Sequence, residues 1–217
     1  MAVKALERLI EGNRRYVAGK HGQGADGMAA RRHELLAGQE PFAVILGCSD
    51  SRVPAEIIFD QGLGDLFVIR VAGNIVAPSL VGSVEFAVEQ FGTRLVVVMG
   101  HTSCGAVTAT LGELARAGET RSPNLRAIVE RIRPAVEPLF DTDLRQQPEA
   151  LLAAAVRANI RASANQLRHG SRIIEDLIER EDLLVVGAEY SLETGVVDFF
   201  DSFPAGQLPA ARGPIEP

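Results

Sequence analysis

Four runs of largely apolar, often β-branched residues limit the folds open to this chain more than any other feature of its sequence. The runs span residues 42–46, 66–71, 95–99 and 183–188. Apolar and polar residues do not alternate within them, which is typical of strands that are buried on both faces, as in a parallel sheet. The sequence therefore predicts four central strands, each covered on both sides.

Helical patterns separate these runs along the chain. Apolar residues recur at helical spacing over residues 79–91, 105–117, 152–167 and 173–178. Ser122-Pro123 marks the start of one more helix, which we expect Pro134 to end. Strands that alternate with helices predict an α/β fold with a mainly parallel central β-sheet flanked by helices.

The N-terminal segment has an amphipathic helical pattern of its own over residues 5–17, followed by a Gly-rich stretch over residues 19–27. We interpret this helix as an N-terminal helical arm that precedes the core, but an ordinary core helix of the same subunit would give the same pattern. The length of 217 residues predicts a single domain. Within it we expect the helical arm over 1–40, an α/β core over 41–200 and an irregular tail over 201–217.

Charge and composition narrow the classes of function. The net charge of −6 provides no basic surface for nucleic acid or an anionic membrane, so we expect neither partner. Charges interrupt the N-terminus before a signal sequence could form, and no apolar run approaches the roughly 18 residues of a membrane helix. We therefore expect a cytoplasmic protein whose two cysteines, Cys48 and Cys104, are free thiols.

Polar segments rich in metal-binding side chains follow two of the apolar runs. The first run leads into Gly47-Cys48-Ser49-Asp50-Ser51-Arg52, and the third leads into Gly100-His101-Thr102-Ser103-Cys104-Gly105. Ligand crevices in open α/β sheets form at the carboxyl ends of the strands. If the two strands are neighbours, Cys48 lies beside His101 and Cys104.

Two thiolates and an imidazole are a suitable ligand set for zinc, which prefers tetrahedral coordination. With two cysteines the subunit cannot build a closed site of three or four cysteines, so three ligands with an open position, the catalytic arrangement, fit better. Taken singly, each residue has a simpler interpretation as an inert core cysteine or a hydrogen-bonded histidine. A redox dithiol is disfavoured because Cys48 and Cys104 do not form a C-x-x-C pair.

Asp50 has two possible partners in this arrangement. It could fill the fourth coordination position of the metal, or Arg52 could hold it away through a bidentate ion pair, which would make the carboxylate an on/off switch. The simpler alternative is a pair of surface charges in a turn.

The two segments together resemble the paired signature of the β-class carbonic anhydrases. The resemblance extends to Ser51-Arg52-Val53-Pro54, Phe67-Val68-Ile69-Arg70, Ala72-Gly73-Asn74 and Glu85-Phe86-Ala87-Val88, and runs from the N-terminal helix to about Asp198. It implies one zinc ion per subunit, held by Cys48, His101 and Cys104. It also implies an intimate homodimer or a tetramer built from such dimers.

The resemblance further implies roles for the residues around the metal. Asp50 and Arg52 are the catalytic pair, with Asp50 as the alternative fourth metal ligand in a closed state. The implied substrate-binding residues are Gln39, Phe67, Ala72, Phe86 and Gly105. Gln39 and Phe86 are expected to serve the zinc of the neighbouring subunit.

The activity implied is the reversible hydration of carbon dioxide to bicarbonate and a proton. A zinc-bound hydroxide attacks carbon dioxide while Asp50 and Arg52 orient it. Alternatives on the same scaffold are a carbon disulfide or carbonyl sulfide hydrolase and a catalytically silent zinc-bound scaffold. Some members carry an inhibitory bicarbonate pocket built from Trp, Arg and Tyr. Here Arg70 and Tyr190 match it, but Ile45 stands at its tryptophan position, so we expect that site to be weak or absent.

Overall fold

The computed structural model describes residues 1–20, 28–115, 122–181 and 183–201. Its centre is a five-stranded sheet in the order β2-β1-β3-β4-β5. The strands are β1 (Ala43–Gly47), β2 (Leu66–Arg70), β3 (Leu95–His101), β4 (Leu184–Tyr190) and β5 (Val197–Asp201). The first four are mutually parallel, and only β5 is antiparallel to its neighbour β4. The prediction of a mainly parallel α/β fold is confirmed.

The helices are α1 (Ala2–Val17), α2 (Met28–Glu34), α3 (Ala55–Ile58), α4 (Pro78–Gln90), α5 (Gly105–Ala115), α6 (Pro123–Val136), α7 (Pro148–His169) and α8 (Arg172–Arg180). The expected end of α6 at Pro134 is wrong, because the helix continues to Val136. Ile132 and Val136 are both fully buried on its inner face, and a proline so close to a helix end removes few hydrogen bonds. The predicted tail from residue 202 onwards, the Gly-rich stretch from residue 21 and the end of the 105–117 helix lie outside the described residues.

Alternate residues of each central strand face opposite sides of the sheet, as the period of two requires. Val44 and Leu46 belong to the cluster that packs beneath helices α4 to α8. Ala43 and Ile45 belong to the cluster on the opposite face, which helices α1 and α3 cover. The sheet is thus buried on both faces, which explains why the strands read as continuous apolar runs.

Helix α1 packs on the core of its own chain, the second of the two alternatives that its pattern left open. Leu6 and Leu9 are buried against the sheet. Asn13 donates to the carbonyl groups of Ile58 and Gly195 and accepts from the backbone of Val197. None of the described helices is both long enough and apolar enough to cross a bilayer.

Candidate metal centre

The two predicted polar segments meet at the carboxyl edge of the sheet. Strands β1 and β3 are parallel neighbours, and Gly47 pairs with Met99, so both chains leave the sheet at the same edge. Cys48 follows β1 directly, His101 is the last residue of β3, and Cys104 immediately precedes α5. The ligand atoms of these three buried residues all lie within 4.8 Å of one another.

The turn that separates His101 from Cys104 is fixed by its contacts with the segment after β4. The backbone N–H of Thr102 donates to the carbonyl of Tyr190, and the Thr102 hydroxyl accepts from the N–H of Leu192. Ser103 adopts a left-handed conformation with φ of 57°, which reverses the chain sharply enough to return Cys104 to His101.

The His101 ring presents one nitrogen to the protein and the other to the two sulfurs. Its Nδ1 lies 2.9 Å from the carbonyl oxygen of Thr102, so Nδ1 carries the proton and donates it. The Nε2 lone pair then points into the cluster, where this fully buried atom has no hydrogen-bond partner. A buried ring nitrogen without a partner is costly unless it binds something, and a metal ion would satisfy it.

The two thiols shift each other's pKa in opposite directions. The Cys104 thiol donates to Cys48, which lowers the pKa of Cys48 despite its burial, and the same contact raises the pKa of Cys104. The N–H of Gly73 adds a second hydrogen bond to the Cys48 sulfur, at 3.4 Å. Both contacts favour the thiolate form of Cys48, the form in which cysteine binds metals.

The donor set fits zinc. Zinc–sulfur and zinc–nitrogen bonds of about 2.3 and 2.0 Å in a tetrahedron place ligand atoms about 3.5–3.8 Å apart. The three atoms here span at most 4.8 Å, so shifts of about 1 Å or less would close the cluster around an ion. Two sulfurs with one imidazole suit zinc better than a hard cation such as magnesium.

Asp50 is held by Arg52 in a closely fitted pair. Arg52 donates from Nε to Oδ1 at 2.9 Å and from Nη2 to Oδ2 at 2.7 Å, and its backbone N–H adds a third bond to Oδ1. These contacts hold the pKa of Asp50 well below its usual range. Asp50 Oδ2 nevertheless lies 3.8 Å from His101 Nε2. The carboxylate therefore borders the group of Cys48, His101 and Cys104, the candidate metal cluster, while remaining bound to Arg52.

Arg70 is a further cation at the carboxyl edge of the sheet. The resemblance matches it to the inhibitory bicarbonate pocket, and in the structure it donates to the carbonyl oxygens of Cys48 and Asp50, at 3.0 and 2.6 Å. Tyr190, the other residue of that pocket, shares a hydrogen bond with the Tyr16 hydroxyl, and burial raises its pKa to about 12. Both groups therefore have partners within the chain.

The predicted substrate-binding residues do not all lie beside the metal cluster. Phe67 pairs with Val44, near the start of the strands and about 13 Å along β1 from Cys48 at 3.3 Å per residue. Phe67, Phe86 and Phe91 form an aromatic cluster with ring centroids 5.6–6.2 Å apart. Gln39 lines an open groove with Phe91.

Ala72 and Gly105, by contrast, lie next to residues of the metal cluster. Ala72 opens the short turn whose Gly73 contacts the Cys48 sulfur. Gly105 follows Cys104 and begins α5. The structure thus divides the predicted set between the carboxyl edge of the sheet and the region around Phe67, near the start of the strands.

Comparison with known proteins gives a consistent result. Residues 43–197 match the family model described as carbonic anhydrase. The chain is 40% identical over 198 residues to "Carbonic anhydrase 2" of Mycobacterium tuberculosis, covering 89% of this chain and 90% of that protein. It is 49% identical over 134 residues to the carbonic anhydrase of Mycolicibacterium smegmatis, covering 62% and 64% of the two chains.

Among solved structures, the β-carbonic anhydrase CcaA superposes with a TM-score of 0.73 at 28% identity, covering 92% of this chain and 93% of that one. The chain therefore belongs to the carbonic anhydrase family, in its β class. The resemblance drawn from the two polar segments is confirmed.

Proposed function

We propose that this protein catalyses the reversible hydration of carbon dioxide to bicarbonate, with one zinc ion held by Cys48, His101 and Cys104. The observation that carries the proposal is the buried Nε2 of His101, which faces two sulfurs and has no hydrogen-bond partner. Zinc there would supply Lewis acidity, which lowers the pKa of water from about 15.7 towards about 7.

Asp50 orients the attacking water in this proposal. Its ionised carboxylate only accepts hydrogen bonds, and it lies 3.8 Å from the nitrogen that faces the metal position. By accepting the O–H of the nucleophile it directs a lone pair towards the carbon of the substrate. Arg52 keeps the carboxylate ionised and holds it away from the metal.

The substrate pocket is completed by a second copy of the chain. Carbon dioxide is small and apolar, so a wall formed by Phe67, Phe86 and Ala72 suits it, while the Gln39 amide donates to one oxygen and the N–H of Gly105 is available beside the metal. Phe86, in helix α4, is half exposed, and Leu36, three residues before Gln39, is 78% exposed. A homodimer, or a tetramer of such dimers, would cover these side chains and bring Gln39 and Phe86, together with the adjoining Phe67, to the neighbour's metal.

The test measures zinc content and carbon dioxide hydration on the same purified sample. We expect about one zinc per chain in the wild-type protein, and loss of both metal and activity in Cys48→Ser, because a hydroxyl is a far weaker zinc ligand than a thiolate. Ser83→Ala, which removes only a hydroxyl bound to its own helix, is the control and should keep both. Full zinc occupancy and full activity in Cys48→Ser would refute the site.

A further inference from the structure

We infer that Asn159 is a positioning residue for the metal site: by holding the Gly73 carbonyl it fixes the turn whose Gly73 N–H, on the other side of the same Cα, donates to the Cys48 sulfur. Asn159 donates from Nδ2 to the Gly73 carbonyl at 2.8 Å, and the Gly73 N–H donates to Cys48 Sγ at 3.4 Å. This inference rests on the zinc site proposed above. It adds a residue of the distant helix α7 to that site.

Helix packing alone does not account for an asparagine at this position. Asn159 is 1% exposed and sits between the buried Val156 and Ile160 on the inner face of α7. Burying an amide costs free energy that an apolar residue of the same size would avoid, unless the amide gains a specific hydrogen bond. The bond that Asn159 gains goes to the turn that contacts the metal cluster.

The turn itself needs such an external anchor. Gly73 and Asn74 have positive φ angles of 71° and 43°, two consecutive left-handed residues of which the second is not glycine. Asparagine adopts this conformation more readily than other non-glycine residues, but two such residues in succession still cost free energy, which the surrounding contacts offset. At Gly73, a Cβ atom would lie 2.8 Å from Ile132 Cδ1 and 3.0 Å from Ala106 Cβ, so α5 and α6 enclose the turn, and Asn159 fixes the direction of the Gly73 carbonyl within it.

The consequence for a bound metal is electronic as well as geometric. A hydrogen bond to a ligating thiolate withdraws electron density from the sulfur, which weakens its donation and leaves the ion a stronger Lewis acid. It also holds the sulfur in the direction of the ion, which slows release of the metal. Both effects should disappear when the Asn159 amide can no longer hold the Gly73 carbonyl.

The experiment compares Asn159→Leu and Asn159→Asp with the wild-type chain after replacing zinc by cobalt(II). We expect the thiolate-to-cobalt absorption band to move to longer wavelength in both variants, because a sulfur without its hydrogen bond gives up an electron more easily. We also expect zinc to pass to a chelator faster, because residues that support a metal ligand typically contribute about 10–100-fold to metal affinity.

The matched control is Ser163→Ala, which removes a buried polar group one turn further along the same face of α7. It reports the effect of disturbing the helix and should leave the cobalt band and zinc release unchanged. An unshifted band and unchanged release in the Asn159 variants would overturn the inference while leaving the zinc site intact. A wild-type chain that binds no cobalt or zinc would overturn both.

One measurement needs no substitution. In wild-type protein loaded with cadmium-113, the Gly73 amide proton should show scalar coupling to the metal, transmitted through its hydrogen bond to the Cys48 sulfur. A Gly73 amide without coupling, in a cadmium-loaded protein whose cysteine protons are coupled, would overturn the inference even if the Asn159 variants fail to fold.

Discussion

Individual residues at the carboxyl edge of the sheet show which parts of the site a sequence can reveal. Cys48, His101 and Cys104 were predicted to meet because they follow apolar runs, and the parallel pairing of β1 with β3 brings them within 4.8 Å. The sequence did not predict the hydrogen bonds of Arg70 and Asn159 next to the site, because each residue donates to a backbone carbonyl. A backbone group leaves no mark on the sequence, so its partner cannot be inferred from side-chain chemistry.

The Asp50 carboxylate allows a prediction at this scale. Asp50→Ala should retain about one zinc per chain, because Asp50 is bound to Arg52 and is not one of the three proposed zinc ligands. Its hydration kcat should fall by about 10²–10⁴-fold, the usual range for a positioned proton acceptor. Stopped-flow hydration and metal analysis on one sample measure both quantities.

Asp143→Ala, which removes an exposed acid from a short turn distant in sequence from the metal ligands, is the control for that experiment. It should keep wild-type rates. Loss of zinc along with activity in Asp50→Ala would instead make Asp50 a metal ligand, and unchanged activity would remove it from the mechanism.

At the scale of elements, the strands that sequence predicts best are those buried on both faces. The four continuous apolar runs correspond to β1 to β4 within a few residues. Strand β5 was missed because it is a short edge strand with the sequence VDFFD, in which only Val197 is buried. Helices α2 and α3 were missed because they contain 7 and 4 residues, too few for an apolar period to repeat convincingly.

Helix α1 allows a prediction at this scale, because its backbone approaches the segment after α3 most closely at Gly12. A Cβ atom on Gly12 would lie 1.8 Å from the carbonyl oxygen of Phe59, which cannot move without disturbing α3. We therefore expect Gly12→Ala to reduce the free energy of unfolding by about 1–3 kcal/mol, the usual cost of overpacking, and to lower the melting temperature accordingly.

The matched control is the same substitution at an exposed helix position, Gly82→Ala. Gly82 lies in α4 with no heavy atom near its absent Cβ, so Gly82→Ala should raise stability by about 0.5–1 kcal/mol through helix propensity alone. If α1 were an arm detached from its own core, Gly12→Ala would behave like Gly82→Ala. A higher melting temperature for Gly12→Ala would thus contradict the packing of α1.

At the scale of the whole molecule, the distribution of the substrate-binding residues has a consequence for assembly. Cys48, His101 and Cys104 lie at the carboxyl edge of the sheet, whereas Phe67 and its aromatic neighbours lie near the start of the strands, about 13 Å back along β1. One chain therefore does not surround its own metal position with the full predicted set. In our proposal each site takes its metal ligands from one subunit and Gln39 and Phe86 from the other.

This division predicts that two inactive variants restore activity when they share a dimer. Cys48→Ser lacks the metal but provides an intact Gln39 and Phe86, whereas the double variant Gln39→Ala, Phe86→Ala provides intact metal ligands. After the two are mixed, dissociated and reassembled, half of the dimers are mixed, and each mixed dimer contains one complete site. We expect about a quarter of wild-type activity, since random pairing in a two-fold dimer gives that fraction of native sites.

Each variant reassembled alone is the control, and each should stay near its own low rate. If a subunit formed its whole site by itself, every site in the mixture would keep one defect, and activity would equal the mean of the two variants. That result would refute the shared pocket while leaving the zinc ligands untouched, because zinc bound by the double variant is measured separately. Restored activity would mean that Gln39 and Phe86 act on the metal of the neighbouring chain, so that the dimer is the smallest catalytic unit.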